Sequence, residues 1–523
     1  MPQVQHTQSI PLDDLTEAIT TNLARKLPLL PLYAGRIRPE LGAINVCGNG
    51  PSLRTRYPSK GPIVALNGAW RALAKHGITP DYIVAYDPAP ENVAWFKDAP
   101  LKPTYLLGSR LHPGCFDLLK QHQVFMWHTH SDPERNPLKL EPLIGGGHTV
   151  GATVLNLLAA MGYQHFDLWG YDSCFGPDGA HHATQQGWAL EPPKLYTVGG
   201  NSYLSSAWMI GQVERVVEQI FVNRHDYSVK IHDGGMLAAV VEEQTLEVVY
   251  NLDVAPGSFD FIHSLNNVMH FMQQYDYCQL RVHFKPGTDK GFRPNEPIFV
   301  SHAGKTRMLN HVVRPMLSMF GAVEVPAVTK ELEFSYSPAQ SLARYRSEQW
   351  MPSFQANYAA RKWAWENYPD KPVVITLREC DHWPQRNSDT YEWLRFARYL
   401  GKSKRVVFLR DTDCVGQPFE FETCDEASLD LHVRLALYRR ASMCFFVMNG
   451  PASLAYYTQD IPYAVFLTSA PGYPCYDPQW LQRFLGIDPY GQFPWANLKR
   501  QRLVYADDDL DLIKKAYGEL ANE

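Results

Sequence analysis

Two histidines, His181 and His182, stand in a polar segment that also carries Asp178 and follows an apolar run ending in Gly170-Tyr171-Asp172. An imidazole on a loop beyond a strand end can give or take a proton near neutral pH. His182, His181 and Asp172 are therefore the candidate catalytic groups. An isolated surface pair of histidines is the alternative. A metal site on them is not expected, because adjacent side chains rarely point at one ion.

A second kind of chemistry sits upstream, in Gly48-Asn49-Gly50-Pro51-Ser52. Gly48 and Gly50 let backbone approach a ligand, Pro51 suits a first helical turn, and Ser52 with its neighbouring amides can face a phosphate at a helix N-terminus. There is no GK[ST], so this is not a P-loop. The third glycine of the dinucleotide fingerprint is also missing. A plain tight turn would use the same letters. Gly145-Gly146-Gly147-His148-Thr149-Val150 is a second glycine-rich entry to a helix. There Thr149 can cap the helix or meet a phosphoryl oxygen.

These residues need elements that bring them together. Six short apolar runs supply them: 43–47, 63–66 ending at Asn67, 82–86 ending at Asp87, 104–107, 124–127, and 166–169 ending at Gly170. Short buried strands separated by helical stretches imply a parallel sheet with helices on both faces. In such α/β sheets the ligand lies beyond the carboxyl ends of the strands, where these polar residues collect.

A chain of 523 residues requires two or three domains. The expected order is a lead-in helix (12–30) and connector to residue 40, then a Rossmann-like domain (41–235) closing on a helix at 205–223. A hairpin or linker (236–258) follows, then a first α/β lobe (259–370) and a second, donor-type lobe (371–523). The first lobe should hold a long aromatic helix at 339–368, the second a helix at 428–440. The net charge of −5 and the lack of a basic block argue against nucleic-acid binding. Nine scattered cysteines suit a reducing cytoplasm. No stretch approaches a membrane span, and the polar start lacks a signal-peptide core. The 12% aromatic content is compatible with base or sugar stacking but fits a large core better.

Cys47–Leu53, Leu66-Asn67, residues 145–157 and Leu168–Asp172 together resemble a bacterial superfamily. It holds the 6-hydroxymethylpterin diphosphokinase-like proteins and the motility-associated flagellin glycosyltransferases. Its Rossmann-type fold is shared with the CMP-sialic acid sialyltransferases. By that resemblance Asn49, Ser52 and Asn67 hold the donor nucleotide, Gly147-His148-Thr149 its phosphate or sugar, and Asp172 closes the site. Residues 178–183 look like the His-Ala motif of the diphosphokinase/flagellin branch. Cys174 and Ala180 stand near the places of the sialyltransferases' phosphate-binding tyrosines, with Tyr171 close by. Gly199-Gly200 falls near the place of their catalytic histidine. The first branch is the better match.

Downstream, Arg378 and Arg386 with Asn387 follow the strand-like run 373–377, and two arginines at such a junction can bind a diphosphate. Surface pairing with Glu379, Asp381 or Asp389 is the alternative. Asn449-Gly450-Pro451 resembles the donor-lobe turn of two-lobed, GT-B-like glycosyltransferases, and the loop at Phe284-Lys285-Pro286-Gly287 would belong to the facing lobe. Asp411-Thr412-Asp413 spells the metal-binding Asp-x-Asp of sugar transferases but fits an Asp-rich turn better. The resemblance implies a cytoplasmic transferase with a nucleotide-activated donor, most simply a nucleotide sugar, no tightly bound cofactor, and a protein, glycan or small-molecule acceptor. The alternatives are diphosphate transfer from ATP, with Mg²⁺ held by carboxylates such as Asp87 and Asp172, and a nucleotide-sugar binding module without turnover.

Overall fold

The computed structural model describes residues 12–32, 41–129, 143–147, 149–184, 192–232, 234–286, 302–329, 332–334, 337–381, 383–468 and 477–520. The chain divides into two compact units, 1–245 and 246–523.

Among the described residues the first unit is built on eight parallel strands. They are β1 (Gly42–Cys47), β2 (Ile63–Leu66), β3 (Tyr82–Ala85), β4 (Thr104–Gly108), β5 (Gln123–Thr129), β6 (Leu143–Ile144), β7 (Tyr163–Trp169) and β10 (Ser228–Ile231). A separate hairpin supplies β8 (Lys194–Val198) and β9 (Asn201–Ser205). The order in the sheet is β10-β7-β1-β2-β3-β4-β5-β6. All six apolar runs are strands, and β2 is buried along its whole length, as a sheet covered on both faces demands. The chain runs outward from β1 to β6 and then returns through a helix to β7, on the other side of β1. The strand order therefore reverses between β1 and β7, and the crevice for a ligand in a doubly wound sheet lies at that reversal.

Among the described residues this unit has six α-helices: α1 (Leu12–Leu23), α2 (Ala69–Ala74), α3 (Pro113–Leu118), α4 (Val150–Met161), α5 (Ala207–Val222) and α6 (Met236–Glu243). The return helix α4 buries Leu155, Leu157 and Leu158 completely. It stops at Gly162, whose φ of +113° is open to glycine but costly for other residues. The lead-in helix is shorter than the expected 12–30. Pro28 cannot continue it, and Leu29 instead bridges to Met126 at the sheet.

Among the described residues the second unit holds two sheets. The smaller has the order β11-β12-β13, from Thr245–Asn251, Gln279–Lys285 and Val323–Glu324. The larger has the order β15-β14-β16-β17-β18, all parallel: β14 (Val373–Thr376), β15 (Val406–Leu409), β16 (Met443–Val447), β17 (Tyr463–Phe466) and β18 (Gln501–Val504). The α/β class with parallel sheets expected from the sequence is the one the chain adopts.

Three local expectations are corrected. Residues 236–258 are not a hairpin or free linker: α6 packs on the first unit, and β11 enters a sheet of the second. The expected helix at 339–368 is two helices, Pro338–Glu348 and Tyr358–Asn367. Gln349 closes the first in a left-handed conformation, and Pro352 bars its continuation. The helix at 428–440 is broken at Asp430, whose carboxylate caps Leu431–Arg440 by accepting from the amides of His432 and Val433.

Candidate functional site

The β1 and β7 turns are locked to each other. The Gly48 amide donates to the Trp169 carbonyl and the Gly50 amide to the Gly170 carbonyl, both at 2.8 Å. A Cβ on Gly48 would lie 2.6 Å from the Gly170 carbonyl oxygen, and one on Gly170 would lie 2.6 Å from the Gly48 oxygen. The glycines are therefore required first by this backbone-on-backbone contact, a different reason from the ligand approach expected from sequence. Asp172 completes the lock. Its Oδ2 accepts from the Ser52 amide at 3.0 Å and from the Ser52 hydroxyl at 2.9 Å. Burial raises the Asp172 pKa. The two Ser52 donors and the charge of Arg56 oppose that shift. Asp172 and Ser52, assigned by sequence to catalysis and to the donor, are spent on one another.

The histidine loop folds over this turn. The Ala183 amide donates to the Asn49 carbonyl at 2.7 Å, and the Asn49 and Thr184 side chains hydrogen bond, with Nδ2 to Oγ1 at 3.2 Å. Arg54, which sequence reasoning passed over, holds the loop at three points. It donates to the carbonyls of Ala183 (3.0 Å) and His182 (2.8 Å) and pairs with Asp178. Its signal was its position, two residues beyond Ser52 on the Pro51–Arg54 helix. Both histidines are half-buried, their ring centroids 4.0 Å apart. Burial, then the neighbouring His181, pushes His182 down to about 4, against an opposing interaction with the Asn49 backbone. His182 is thus neutral at physiological pH and can accept a proton.

Asn67, at the end of β2, adopts a left-handed conformation (φ +50°), and its buried Oδ1 has no hydrogen-bond partner. A strained backbone and an unmet polar atom together mark a position kept for something other than stability. Asp87 lies at the end of β3, where its Oδ1 accepts from the Ala89 amide at 3.1 Å. Thr149 caps α4, accepting from the Ala152 amide at 3.3 Å, so of its two possible roles the structure displays the cap. The carbonyl of Gly147 accepts from the Tyr86 hydroxyl at 3.1 Å. Tyr171 is buried, with its hydroxyl on the Gly151 carbonyl at 3.2 Å. His148 lies outside the described residues. Gly199-Gly200 form the turn of the β8–β9 hairpin.

In the second unit the five expected donor residues sit on neighbouring strand ends, but each builds the loops. Arg378 is buried and donates to the Trp383 carbonyl at 2.9 Å and to Asn387 Oδ1. Asn387 in turn donates to the Cys380 carbonyl at 3.1 Å. Arg386 reaches the Met448 carbonyl at 3.0 Å, joining the loops after β14 and β16. Asn449 caps Ala452–Tyr456, accepting from the Ala452 amide at 3.1 Å. Gly450 lies against Phe259, whose ring would be 2.5 Å from an added Cβ. Glu379 pairs with Arg410, with contacts at 2.9 and 2.7 Å. Asp411 accepts from the Glu379 amide at 2.7 Å, which agrees with an Asp-rich turn. Gly287, in the loop expected to face this lobe, is outside the described residues.

Asp87 and Asp172 do not make a metal site by themselves. Each already accepts from amide or serine donors, and no group of three His, Cys, Asp or Glu suited to an ion occurs among the described residues.

Residues 31–178 match the family model described as 6-hydroxymethylpterin diphosphokinase MptE-like. The MptE-like segment spans β1–β7 and both interlocked turns, and it bears out the resemblance carried by the glycine motifs. No curated protein matches the chain. Among solved structures, similar ones include the MAf glycosyltransferase from Magnetospirillum magneticum AMB-1, at 14% identity and TM-score 0.32, covering 45% of this chain and 41% of that one. A glycosyl transferase family 9 protein from Veillonella parvula DSM 2008 has 10% identity and TM-score 0.33, covering 53% and 98%. The E. coli heptosyltransferase WaaC with ADP has 14% identity and TM-score 0.28, covering 53% and 100%. The chain thus spans under half the length of the MAf protein. At these values the likeness extends to neither substrates nor residue roles. No helix among the described residues is long and apolar enough to cross a membrane.

Proposed function

We propose that the first unit is the nucleotide-donor site of a transferase, and that a nucleotide sugar is the donor. The observation that carries this reading is the position of Asn67. It is strained, its Oδ1 is unmet, and it stands on the strand end next to the β1/β7 reversal. The MptE-like match over the same strands supports it. In this reading Asn67 and the Asn49 side chain take the nucleoside. His182, neutral and held over the turn by Arg54, takes the acceptor hydroxyl proton. Ser52 and Asp172 fix the turn and do not touch the ligand. The second unit, whose strand-end polar groups are engaged in its own loops, recognises the acceptor or supports the first.

The description of the matched family favours one other reading, diphosphate transfer from ATP to a hydroxymethyl group. There Mg²⁺ would be carried chiefly by the nucleotide phosphates, as is usual for that ion. The test is calorimetric titration of the full chain with CMP-, UDP- and GDP-sugars and with ATP plus Mg²⁺. Binding of a nucleotide sugar that weakens in Asn67→Gly supports the first reading. ATP binding alone supports the second, and binding of neither defeats both.

A further inference from the structure

Arg110 follows β4, on the same carboxyl edge as Asn67 and Asp87. Its Nε is buried without a hydrogen-bond partner, and among the described residues no carboxylate pairs with its guanidinium. What holds it is the Tyr86 ring, 5.3 Å from the guanidinium carbon. Tyr86 is itself fixed: its hydroxyl donates to the Gly147 carbonyl and accepts from Thr153 at 3.3 Å, and its ring meets Trp127 edge-on. Asp87, at the neighbouring strand end, accepts from the Ala89 amide. Arg410, on another strand end of this chain, is matched by Glu379. A positioned guanidinium with a dry, unmet N–H at the ligand edge of a sheet lacks an anion.

We propose that Arg110 forms an anion subsite that takes a phosphate or carboxylate group of the substrate. The proposal rests on the reading of this edge as the substrate site. Arg110 stands about three strand spacings from the β1 turn, roughly 14 Å. One ligand that reaches both therefore carries its negative charge well away from its nucleoside. Planar, two-pronged recognition suits either oxyanion, and Lys is a poor replacement.

The experiment titrates the full chain, Arg110→Gln and Arg110→Lys with inorganic pyrophosphate, with glucuronate, and with uncharged uridine and cytidine. Thermal melting of all three proteins runs alongside. At least one anion should bind the wild type and lose tenfold or more in affinity in Arg110→Gln, with only part restored by Lys. Nucleoside binding should not change, and the melting temperature should fall only slightly, because the protein contact that Arg110→Gln gives up is the one with the Tyr86 ring. Pyrophosphate binding identifies a phosphate site, glucuronate binding a carboxylate site. The proposal is overturned if neither anion binds the wild type, or if Arg110→Gln binds them equally well. Absence of uridine and cytidine binding to the wild type would count against a pyrimidine-nucleotide donor while leaving the anion result to stand by itself.

Discussion

Ser52 and Asp172 lie 120 residues apart in sequence, yet one carboxylate oxygen of Asp172 receives both the amide and the hydroxyl of Ser52, at 3.0 and 2.9 Å. This pair joins the first strand end of the sheet to the strand that returns beside it. It makes the reversal point a rigid platform, and it assigns to structure two residues whose types suggest chemistry.

Replacing Ser52 by Ala should therefore lower stability by about 1.5–3 kcal/mol, the usual range for a hydrogen bond to a charged group. Asp172→Asn keeps an acceptor and removes the burial of charge, so its cost should be smaller. If Asp172 acts only through the turn, turnover in Asp172→Asn should remain within a few-fold of wild type. Denaturant melts beside steady-state rates decide it. A thousandfold rate loss in a stable Asp172→Asn protein would return Asp172 to catalysis.

Asn67 separates binding from strain. Glycine accepts a φ of +50° without cost, so Asn67→Gly should fold at least as stably as the wild type. It should nonetheless lose about 1–3 kcal/mol of nucleotide affinity, the cost of a missing buried polar contact. Unchanged affinity in calorimetry would remove Asn67 from the site.

His182 yields a pH expectation. Folding lowers its pKa from 6.5 to about 4, so the unfolded chain takes up the proton first as pH falls. The stability linked to this group is complete above pH 6.5 and is lost between 6.5 and 4. As a base it stays competent through the same window, so the acid limb of the rate profile should fall near pH 4. His182→Ala should reduce turnover about 10²-fold or more at saturating substrate. An acid limb at 6.5 that survives in His182→Ala would point to another base.

Arg54→Ala should free the histidine loop. Its contacts to Ala183, His182 and Asp178 are lost together. Hydrogen exchange at 178–183 should quicken by about tenfold or more, while the sheet core keeps its protection. Equal exchange in both proteins would show that the Ala183–Asn49 bond suffices.

Much of this architecture was legible because a buried parallel strand has to be written as an unbroken apolar run. β2–β5 were readable for that reason, and β1 and β7 were readable although Asn45 and Asp167 interrupt them. The edge strand β10 and the hairpin β8–β9 were not, since their exposed residues break the run. The glycine turns were legible as turns, but their mutual contact was not, because the partner carbonyls lie more than 100 residues away. Arg378 shows the same limit. Its type and place suggested a diphosphate, while its bonds to Trp383 and Asn387 are loop construction that only coordinates display. Asn67 was identified as a site residue, although the strain and the unmet oxygen that single it out are invisible in the sequence.

The central claim is that the nucleotide donor sits at the β1/β7 reversal of the first unit. Hydrogen exchange of the full chain, with and without a saturating nucleotide found by calorimetry, tests it most directly. The account expects added protection in the segments around Asn49, Asn67 and His182, and little change around Arg378 and Asn449. Protection confined to the second unit, with the β1 and β2 ends unaltered, would contradict it.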